Sequence, residues 1–218
     1  MNTRTRIIET ALGLFNEYSS GAVSTNHIAE ALGISPGNLY YHFRNKEEII
    51  RSIVEQKDAR WESLYHLPNG RAPTLDDVEQ LVRKNFELVW DYRFFFRELS
   101  ILTQRDSLLK ARYQQMRRER LADFEELFAQ FVSAGVAHPP ASPSLVANLA
   151  KLCWLISDYW LPFVELDGKL VLPDVIEQGV ALYLQILDPY VSDAGKAREM
   201  HTSGADPSIK ESTTAEQL

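Results

Sequence analysis

The chain has 218 residues, of which 45% are hydrophobic and 24% charged, and its formal net charge is −7. This is the composition of an ordinary globular protein, and its single cysteine, Cys153, excludes an internal disulfide framework. No stretch approaches the ~20 uninterrupted apolar residues that cross a bilayer. The amino terminus lacks the apolar run of a secretion signal, so we expect a cytoplasmic protein without a membrane partner.

The first predicted helix covers residues 3–18. Its apolar side chains recur at helical spacing and are Ile7, Ile8, Ala11, Leu12, Leu14 and Phe15. One apolar face of this kind is typical of a supporting helix, and we expect it to act as scaffold for the segment that follows.

Residues 24–43 predict a helix-turn-helix motif. Ser24 or Thr25 can cap a first short helix, and Gly33 stands where a left-handed residue ends it. Ser35 then offers a second cap, and Pro36 occupies the first helical position, where its missing N–H costs nothing. Two short helices joined this closely meet at a sharp angle, as in DNA-binding helix pairs.

The second helix of this motif has an apolar side and a polar, aromatic side. Leu39 and Phe43 are four residues apart and are expected to pack against the first helix. The remaining side chains are small, amide, phenol and imidazole groups, which suit contacts with phosphates and base edges. Of Tyr40 and Tyr41, we expect one to pack inward.

Four blocks of residues in this region resemble a known family. They are Ile28-Ala29, Leu32-Gly33-Ile34-Ser35, Leu39-Tyr40-Tyr41-His42-Phe43 and Asn45-Lys46-Glu47-Glu48. With them, the stretch from Thr3 to Ile53 resembles the amino-terminal domain of the TetR family of bacterial transcriptional regulators. The resemblance implies an all-α fold, with a small helix-turn-helix DNA-binding domain over residues 1–48. A larger helical ligand-binding and dimerisation domain is then expected over residues 49–191.

The resemblance also implies a set of DNA-contacting residues. They are Thr25, Asn26, Ser35, Pro36, Gly37, Asn38, Tyr40, Tyr41, His42 and Lys46. Tyr40 and Lys46 are expected to hold phosphates, Thr25 to start the supporting helix at the DNA backbone, and the others of the second helix to lie at or near the bases. The chain departs from many members of the family, which carry a basic residue just before the Ile-Ala pair, since it has Asn26 and His27 there.

The second helix of the motif, the predicted recognition helix, carries no arginine or lysine. Because no arginine or lysine lies between Ser35 and Phe43, a bidentate contact with guanine is excluded from its middle, and Asn38 is the best candidate for reading a base, with Gly37 allowing close approach. The first 60 residues contain seven basic and seven acidic side chains, so the acidic surplus lies downstream. This balance predicts modest non-specific DNA affinity and a shallow salt dependence.

The rest of the chain is predicted to be helical. Helices are expected over residues 46–65, from Thr74 onward, and over residues 106–134, 144–166 and 173–191, with a loop at 66–73. From residue 192 to 218 the sequence is polar and aperiodic, which predicts a disordered tail.

Aromatic side chains in this part predict a cavity for a small hydrophobic effector. The predicted pocket residues are Trp61, Tyr65, Phe86, Trp90, Phe94, Trp154 and Tyr159. For any one of them, filling the core is the more common role. A polar group on the effector would reach Arg97, Asp158 or Tyr159.

The last two helices are apolar on more than one side, which predicts a four-helix dimer interface. Its predicted residues are Leu145, Leu149, Leu152, Ile156, Ile176, Val180, Tyr183 and Leu187. A homodimer presents two helix-turn-helix domains to one duplex, so the operator should be a near-palindrome.

These features predict a ligand-responsive transcriptional regulator, by default a repressor. The five histidines are scattered without metal-ligand spacing, and the common catalytic and nucleotide-binding motifs do not occur, so we expect no metal, no cofactor and no enzymatic activity. Two alternatives stay open, a DNA-packaging protein without a ligand and, less favoured, an enzyme in the helical domain.

Overall fold

A computed structural model describes residues 2–64, 71, 73–168, 172, 174–193 and 195. In this part of the chain the secondary structure is helical, as predicted. The helices are α1 (Thr3–Tyr18), α2 (Thr25–Leu32), α3 (Pro36–His42), α4 (Lys46–Leu64), α5 (Leu75–Asp91), α6 (Arg93–Arg105), α7 (Ser107–Ser133), α8 (Pro143–Glu165) and α9 (Asp174–Leu187), with a short 3-10 turn at Asp188–Tyr190. None of these helices is both long and apolar enough to span a bilayer.

Capping side chains set the boundaries that the sequence predicts. Ser24 caps α2 by accepting a hydrogen bond from the backbone N–H of His27, and Gly33 ends that helix with φ of +66°. Ser35 caps α3, with Pro36 at its first position. Asp106 caps the longest helix, α7, by accepting from the N–H groups of Leu108 and Leu109.

Helices α1 to α3 and the start of α4 share one core, which we call the head. Phe15, Leu39 and Phe43 are almost completely buried in it, as expected for the supporting faces of α1 and α3. Ile49 and Ile53 of α4 belong to the same core. Since α4 continues without a break to Leu64, a boundary at residue 48 falls within its first turn. We retain the division into a head and a helical body as a proposal.

The head is docked on the body through α1 and α6. The rings of Phe15 and Phe94 lie 5.2 Å apart between centroids. Beside them, the Asn16 side chain donates to the carbonyl of Asp91 at 2.7 Å and accepts from the N–H of Phe94 at 3.0 Å. A second tie joins α4 to the start of α7, where Arg51 pairs with Asp106 at 2.5 Å.

In the body, α9 packs against α5 and α8. The closest approach is at Gly179, where an added Cβ would stand 2.8 Å from the Trp160 ring and 2.9 Å from the Phe86 ring. Trp160 is fixed there by a hydrogen bond from its indole nitrogen to the carbonyl of Val175 at 2.8 Å.

The predicted start of a disordered tail at residue 192 is too early. The N–H of Ser192 donates to the carbonyl of Val136 at 2.9 Å, and its hydroxyl donates to the carbonyl of Gly135 at 2.6 Å. Gly195 is also buried. These hydrogen bonds satisfy backbone groups after α7, so the packed body extends past α9. The remainder of the predicted tail, from residue 196, lies outside the described residues.

Candidate DNA-binding surface and ligand cavity

Helix α3 presents an uninterrupted polar and aromatic surface. Pro36, Gly37 and Asn38 are exposed, while Leu39 of the same helix is fully buried. Ser35, also exposed, is held by accepting from the N–H of Asn38 at 3.2 Å. The side chains that the sequence assigns to base contacts therefore lie on one accessible face of a fixed helix.

Both tyrosines of α3 point outward, so the expectation that one packs inward is wrong. Tyr40 is 50% exposed and Tyr41 is 85% exposed. Leu39 and Phe43 fill the contact with α2, which leaves no inward position for either phenol. The ring of Tyr41 instead meets the half-buried His42 edge-on, with 5.1 Å between centroids.

Thr25 and Tyr40 form one polar unit. The Thr25 hydroxyl and the Tyr40 hydroxyl are 3.0 Å apart, which joins the start of α2 to the middle of α3. Both were expected to contact the DNA backbone, and the pair brings two hydroxyl groups to one point of the surface. Asn26, the next residue of α2, is exposed beside them.

The amino group of Lys46 is engaged within the head. It donates to the carbonyl of Ser20 at 2.6 Å and to that of Val23 at 3.0 Å, closing the turn between α1 and α2. A phosphate contact would have to share or replace these bonds. Arg4 also has an internal role, since its guanidinium donates to the Ser52 hydroxyl and lies 4.7 Å from the centre of the Phe43 ring.

A cavity of about 600 Å³ lies in the body between α4, α5, α7, α8 and α9. This volume suits a drug-sized molecule. Its walls are mostly apolar and aromatic, and include Trp61, Phe96, Tyr113, Phe124, Phe128, Phe131, Trp154 and Tyr183. Cys153 also lines it, and burial raises the pKa of its thiol to about 12, so this group stays protonated.

One part of the cavity wall is polar and buried. Asp158 of α8 lies there and accepts a hydrogen bond from the Tyr113 hydroxyl of α7 at 2.5 Å. The Trp154 indole nitrogen donates in turn to the Tyr113 oxygen at 3.4 Å. Burial raises the pKa of Asp158 to about 6, and burial together with the nearby carboxylate also raises the pKa of Tyr113.

Helix α4 contributes a charged patch to the same wall. Lys57 and Asp58, both buried, form an ion pair at 2.8 Å, and Arg112 of α7 approaches Asp58 at 2.9 Å. The Lys57 amino group also lies 5.5 Å from the centre of the Phe95 ring. Lys57, Asp58 and Trp61 all line the cavity, so the helix that leaves the head also forms part of the cavity wall.

The residues predicted for the pocket differ in where the structure places them. Trp61 and Trp154 line the cavity, whereas Tyr65 lies outside the described residues. Phe94 is buried against Phe15 in the head–body contact, and Phe86 is buried in a neighbouring cluster under α9. Trp90 packs against the Arg93 guanidinium, and Tyr159 is 51% exposed on the outer face of α8. These four do not line the cavity, because each points to another side of its helix.

Most cavity residues were not singled out from the sequence. The spacing of Phe124, Phe128 and Phe131 on α7 indicates an inward face, but not that this face borders an empty space. Of the three polar groups expected near an effector, Asp158 lines the cavity. Arg97 is bound to Glu165 and to the carbonyl of Asn16, so it is used in the head–body contact.

The residues predicted for a dimer interface face mostly inward. Leu149, Ile176 and Val180 are buried within the chain's own body, and Ile156 and Tyr183 pack against the same clusters. Leu187 lines the cavity, and Leu145 is half-buried. Only Leu152 is exposed, at 51%. Because α8 is apolar on two sides, the sequence shows two stripes without telling which one faces the body.

The outward stripe of α8 is strongly apolar. Its members follow each other at spacings of three or four residues and are Leu152, Leu155, Tyr159, Phe163 and Leu166, each at least half exposed. Leu182 of the adjacent α9 is partly exposed as well. A contiguous apolar face of this size is typical of a protein–protein contact. We call it the α8 outer face.

The described residues define a class of protein in which an amino-terminal helix-turn-helix head is followed by a helical body that contains a cavity. Residues 7–53 match the family model described as bacterial regulatory proteins of the tetR family, and residues 58–198 match the TetR model described as bacterial transcriptional repressor. The chain belongs to the TetR family of bacterial transcriptional regulators, as its sequence motifs predict.

Relatives and solved structures agree with this assignment. A TetR-family transcriptional regulator from Marinobacter aquaeolei VT8 is 32% identical, with 93% of this chain and 97% of that chain covered and a TM-score of 0.83. UidR of Escherichia coli K12, described as an HTH-type transcriptional regulator, is 41% identical over 58 residues, 27% of this chain and 30% of the relative. SmeT of Stenotrophomonas maltophilia shares the fold at 20% identity, with 89% and 93% of the chains covered and a TM-score of 0.67.

Proposed function

We propose that this chain is a cytoplasmic, ligand-responsive repressor. As a homodimer it binds a near-palindromic operator in double-stranded DNA, and a small hydrophobic effector that enters the body cavity releases it. The alternatives of an unregulated DNA-packaging protein and of an enzyme are less well supported, because neither accounts for a cavity adjoining the helix that leads to a DNA-binding head.

The observation that carries the proposal is the continuity of α4. This helix begins at Lys46 in the head and runs to Leu64, and Lys57, Asp58 and Trp61 near its end line the cavity. A ligand that fits better when α4 is displaced favours that displaced state, and the head moves with the helix. SmeT, which has this fold, has been solved as a complex with triclosan, which supports a small-molecule ligand for the fold.

The DNA contacts are proposed from the exposed face of α3. Asn38 and Tyr41 reach base edges, Gly37 allows close approach, and Ser35, Pro36 and His42 border the same groove. The Thr25–Tyr40 hydroxyl pair, with Asn26 beside it, contacts the phosphates. Lys46 contributes mainly by fixing the turn that holds α2.

Two heads are needed because a single short helix offers too few contacts for selective binding. We propose the α8 outer face as the dimer contact, with Leu152 as the one residue of the originally predicted set that lies on it. Two recognition helices on such a dimer must lie about 34–36 Å apart, or a multiple, to enter successive major grooves.

The proposal is tested by selecting bound sites from random duplexes and measuring anisotropy on the selected site and on a scrambled duplex. Asn38→Ala should lower affinity for the selected site by about 10-fold and leave the scrambled duplex unchanged. Tyr40→Phe removes one hydroxyl of the phosphate pair and should weaken both duplexes alike, by a few-fold.

Three outcomes would contradict the proposal. An even coating of any duplex without a preferred site would favour the packaging protein. Equal effects of Asn38→Ala on both duplexes would exclude a base-reading role. If no member of a panel of lipophilic compounds released the selected site, the cavity would not be an effector site.

A further inference from the structure

We infer that the cavity is selective for lipophilic cations, molecules with an apolar body and an ammonium group, and that Asp158 supplies the countercharge. This inference rests on the proposed function in that it takes the cavity to be the effector site. It adds the chemical class of the effector and the residue that selects it.

The position of Asp158 is the first support. Its side chain lies in the cavity wall and its residue is only 5% exposed. The Tyr113 hydroxyl donates to its Oδ2 atom, and Trp154 donates to the Tyr113 oxygen. This chain of hydrogen bonds fixes the orientation of the carboxylate before any ligand arrives.

The charges around it are the second support. Lys57 and Arg112 both contact Asp58, and Arg112 also pairs with Glu55 at 3.3 Å, so two cations and two anions compensate one another. None of the ion pairs among the residues that the structure describes includes Asp158, although the charges of Lys57 and Arg117 act on it from further away. A buried carboxylate without a paired cation is costly, and an ammonium group placed beside it removes that cost.

The aromatic walls are the third support. Trp154 borders the cavity together with Asp158, and the face of such a ring attracts an ammonium group. Trp61 and Phe96 lie in the same wall, where their rings already face the side chains of Arg120 and Lys57. Further along, Phe124, Phe128 and Phe131 offer an apolar surface for the rest of the molecule. The volume of about 600 Å³ leaves room for both parts.

Anionic and neutral molecules are expected to bind this cavity less tightly than cations do. The cations that border the cavity are already paired, Lys57 with Asp58 and Arg120 with Asp123 at 3.2 Å, so they attract an anion only weakly. A neutral molecule keeps the apolar contacts but leaves Asp158 without a directly paired cation. We therefore expect the affinity of the cavity to be highest for cations, lower for neutral molecules and lowest for anions.

The test uses three probes of one shape. They are trimethyl(4-phenylbutyl)ammonium, its uncharged analogue with carbon in place of nitrogen, and the anion 5-phenylpentanoate. Binding to the full chain is followed by tryptophan fluorescence, and release of the selected operator by anisotropy. Asp158→Asn keeps an acceptor for Tyr113 and removes the charge. Asp167→Asn is the matched control, since Asp167 is exposed to solvent just after the end of α8 and does not line the cavity.

We expect Asp158→Asn to weaken the ammonium probe by about 10- to 100-fold and the uncharged analogue by less than about two-fold. Asp167→Asn should change both by less than about two-fold, because that carboxylate lies outside the cavity and solvent screens its charge. The unmodified protein should bind the anion most weakly. Thermal melting of each variant shows whether it is folded.

The pH dependence gives a second readout that needs no variant. Burial raises the pKa of Asp158 to about 6, opposed by the Tyr113 hydrogen bond and by the charges of Lys57 and Arg117. Since the carboxylate ionises as the pH rises through about 6, the permanently charged ammonium probe should bind more tightly at pH 7.5 than at pH 5. The uncharged analogue should show no such change.

Equal loss for both probes in Asp158→Asn, or tighter binding of the anion than of the ammonium probe, would overturn the inference. If operator release still followed binding in that case, the proposed function would stand. If no probe bound and no lipophilic compound released the operator, the effector role itself would fail.

Discussion

Asn16 holds the head on the body, and its removal has a calculable cost. Helix α6 has no side-chain cap from its own N-terminal residue, Tyr92. The Asn16 side chain of α1 takes that place, because its oxygen accepts from the N–H of Phe94 at 3.0 Å. Its nitrogen donates to the carbonyl of Asp91 at 2.7 Å. Asn16→Ala removes both bonds and leaves two partly buried backbone groups without them.

The loss in the free energy of unfolding can be estimated from these two hydrogen bonds. Loss of a helix cap costs about 0.5–2 kcal/mol, and loss of a second hydrogen bond costs about 0.5–1.5 kcal/mol. We therefore expect Asn16→Ala to lower the free energy of unfolding by about 2 kcal/mol. Urea unfolding at one fixed protein concentration measures this, with tryptophan fluorescence and circular dichroism as independent probes.

Asn26→Ala is the matched control, because Asn26 is exposed on α2. Its unfolding free energy should stay within about 0.5 kcal/mol of the unmodified protein. A loss below about 0.5 kcal/mol for Asn16→Ala would refute the reasoning, since it would mean that α6 does not depend on a cap supplied by the head.

Two further substitutions test the packing of the body and the dimer contact. Gly179→Ala places a methyl group 2.8 Å from Trp160, so we expect the free energy of unfolding to fall by about 1–2 kcal/mol. The control Gly13→Ala, in the exposed part of α1, should raise it by about 0.5–1 kcal/mol. Equal effects of the two substitutions in urea unfolding would contradict this. Phe163→Glu on the α8 outer face should give a monomer in sedimentation and lower operator affinity about 100-fold. The control Leu108→Glu, at an exposed apolar site on α7, should do neither. A Phe163→Glu variant that stayed dimeric would exclude the α8 outer face as the dimer contact.

The head was predictable because its signals are local. Ser24, Gly33, Ser35 and Pro36 fix their own helix ends through caps and backbone preferences, which act between neighbours in sequence. The engagement of Lys46 was not predictable in this way. Its partners, the carbonyls of Ser20 and Val23, come close only after α1, α2 and α4 have packed.

The body was harder to predict, because its helices are apolar on more than one side. The apolar periodicity of α8 predicts a stripe through Leu149 and Ile156, and the structure shows that this stripe faces inward. The stripe that faces outward, through Leu155 and Phe163, was not predicted. Tyr159 was assigned to the pocket for the same reason. Deciding between two stripes requires the positions of the neighbouring helices, and one sequence does not contain them.

The two sides of α8 also show how one ligand could act on both heads. Asp158 faces the cavity, and the next residue, Tyr159, lies on the α8 outer face. A ligand that displaces α8 at Asp158 is therefore expected to displace the proposed dimer contact as well. Lys57 on α4 lines the same cavity, and its amino group is held by Asp58. An ammonium group drawn to Asp158 brings a like charge towards Lys57, which favours an outward displacement of α4. In the proposed dimer, the spacing of the two heads depends on α4 and on the dimer contact together. We therefore expect a small movement at Asp158 to take the recognition helices out of register with successive major grooves.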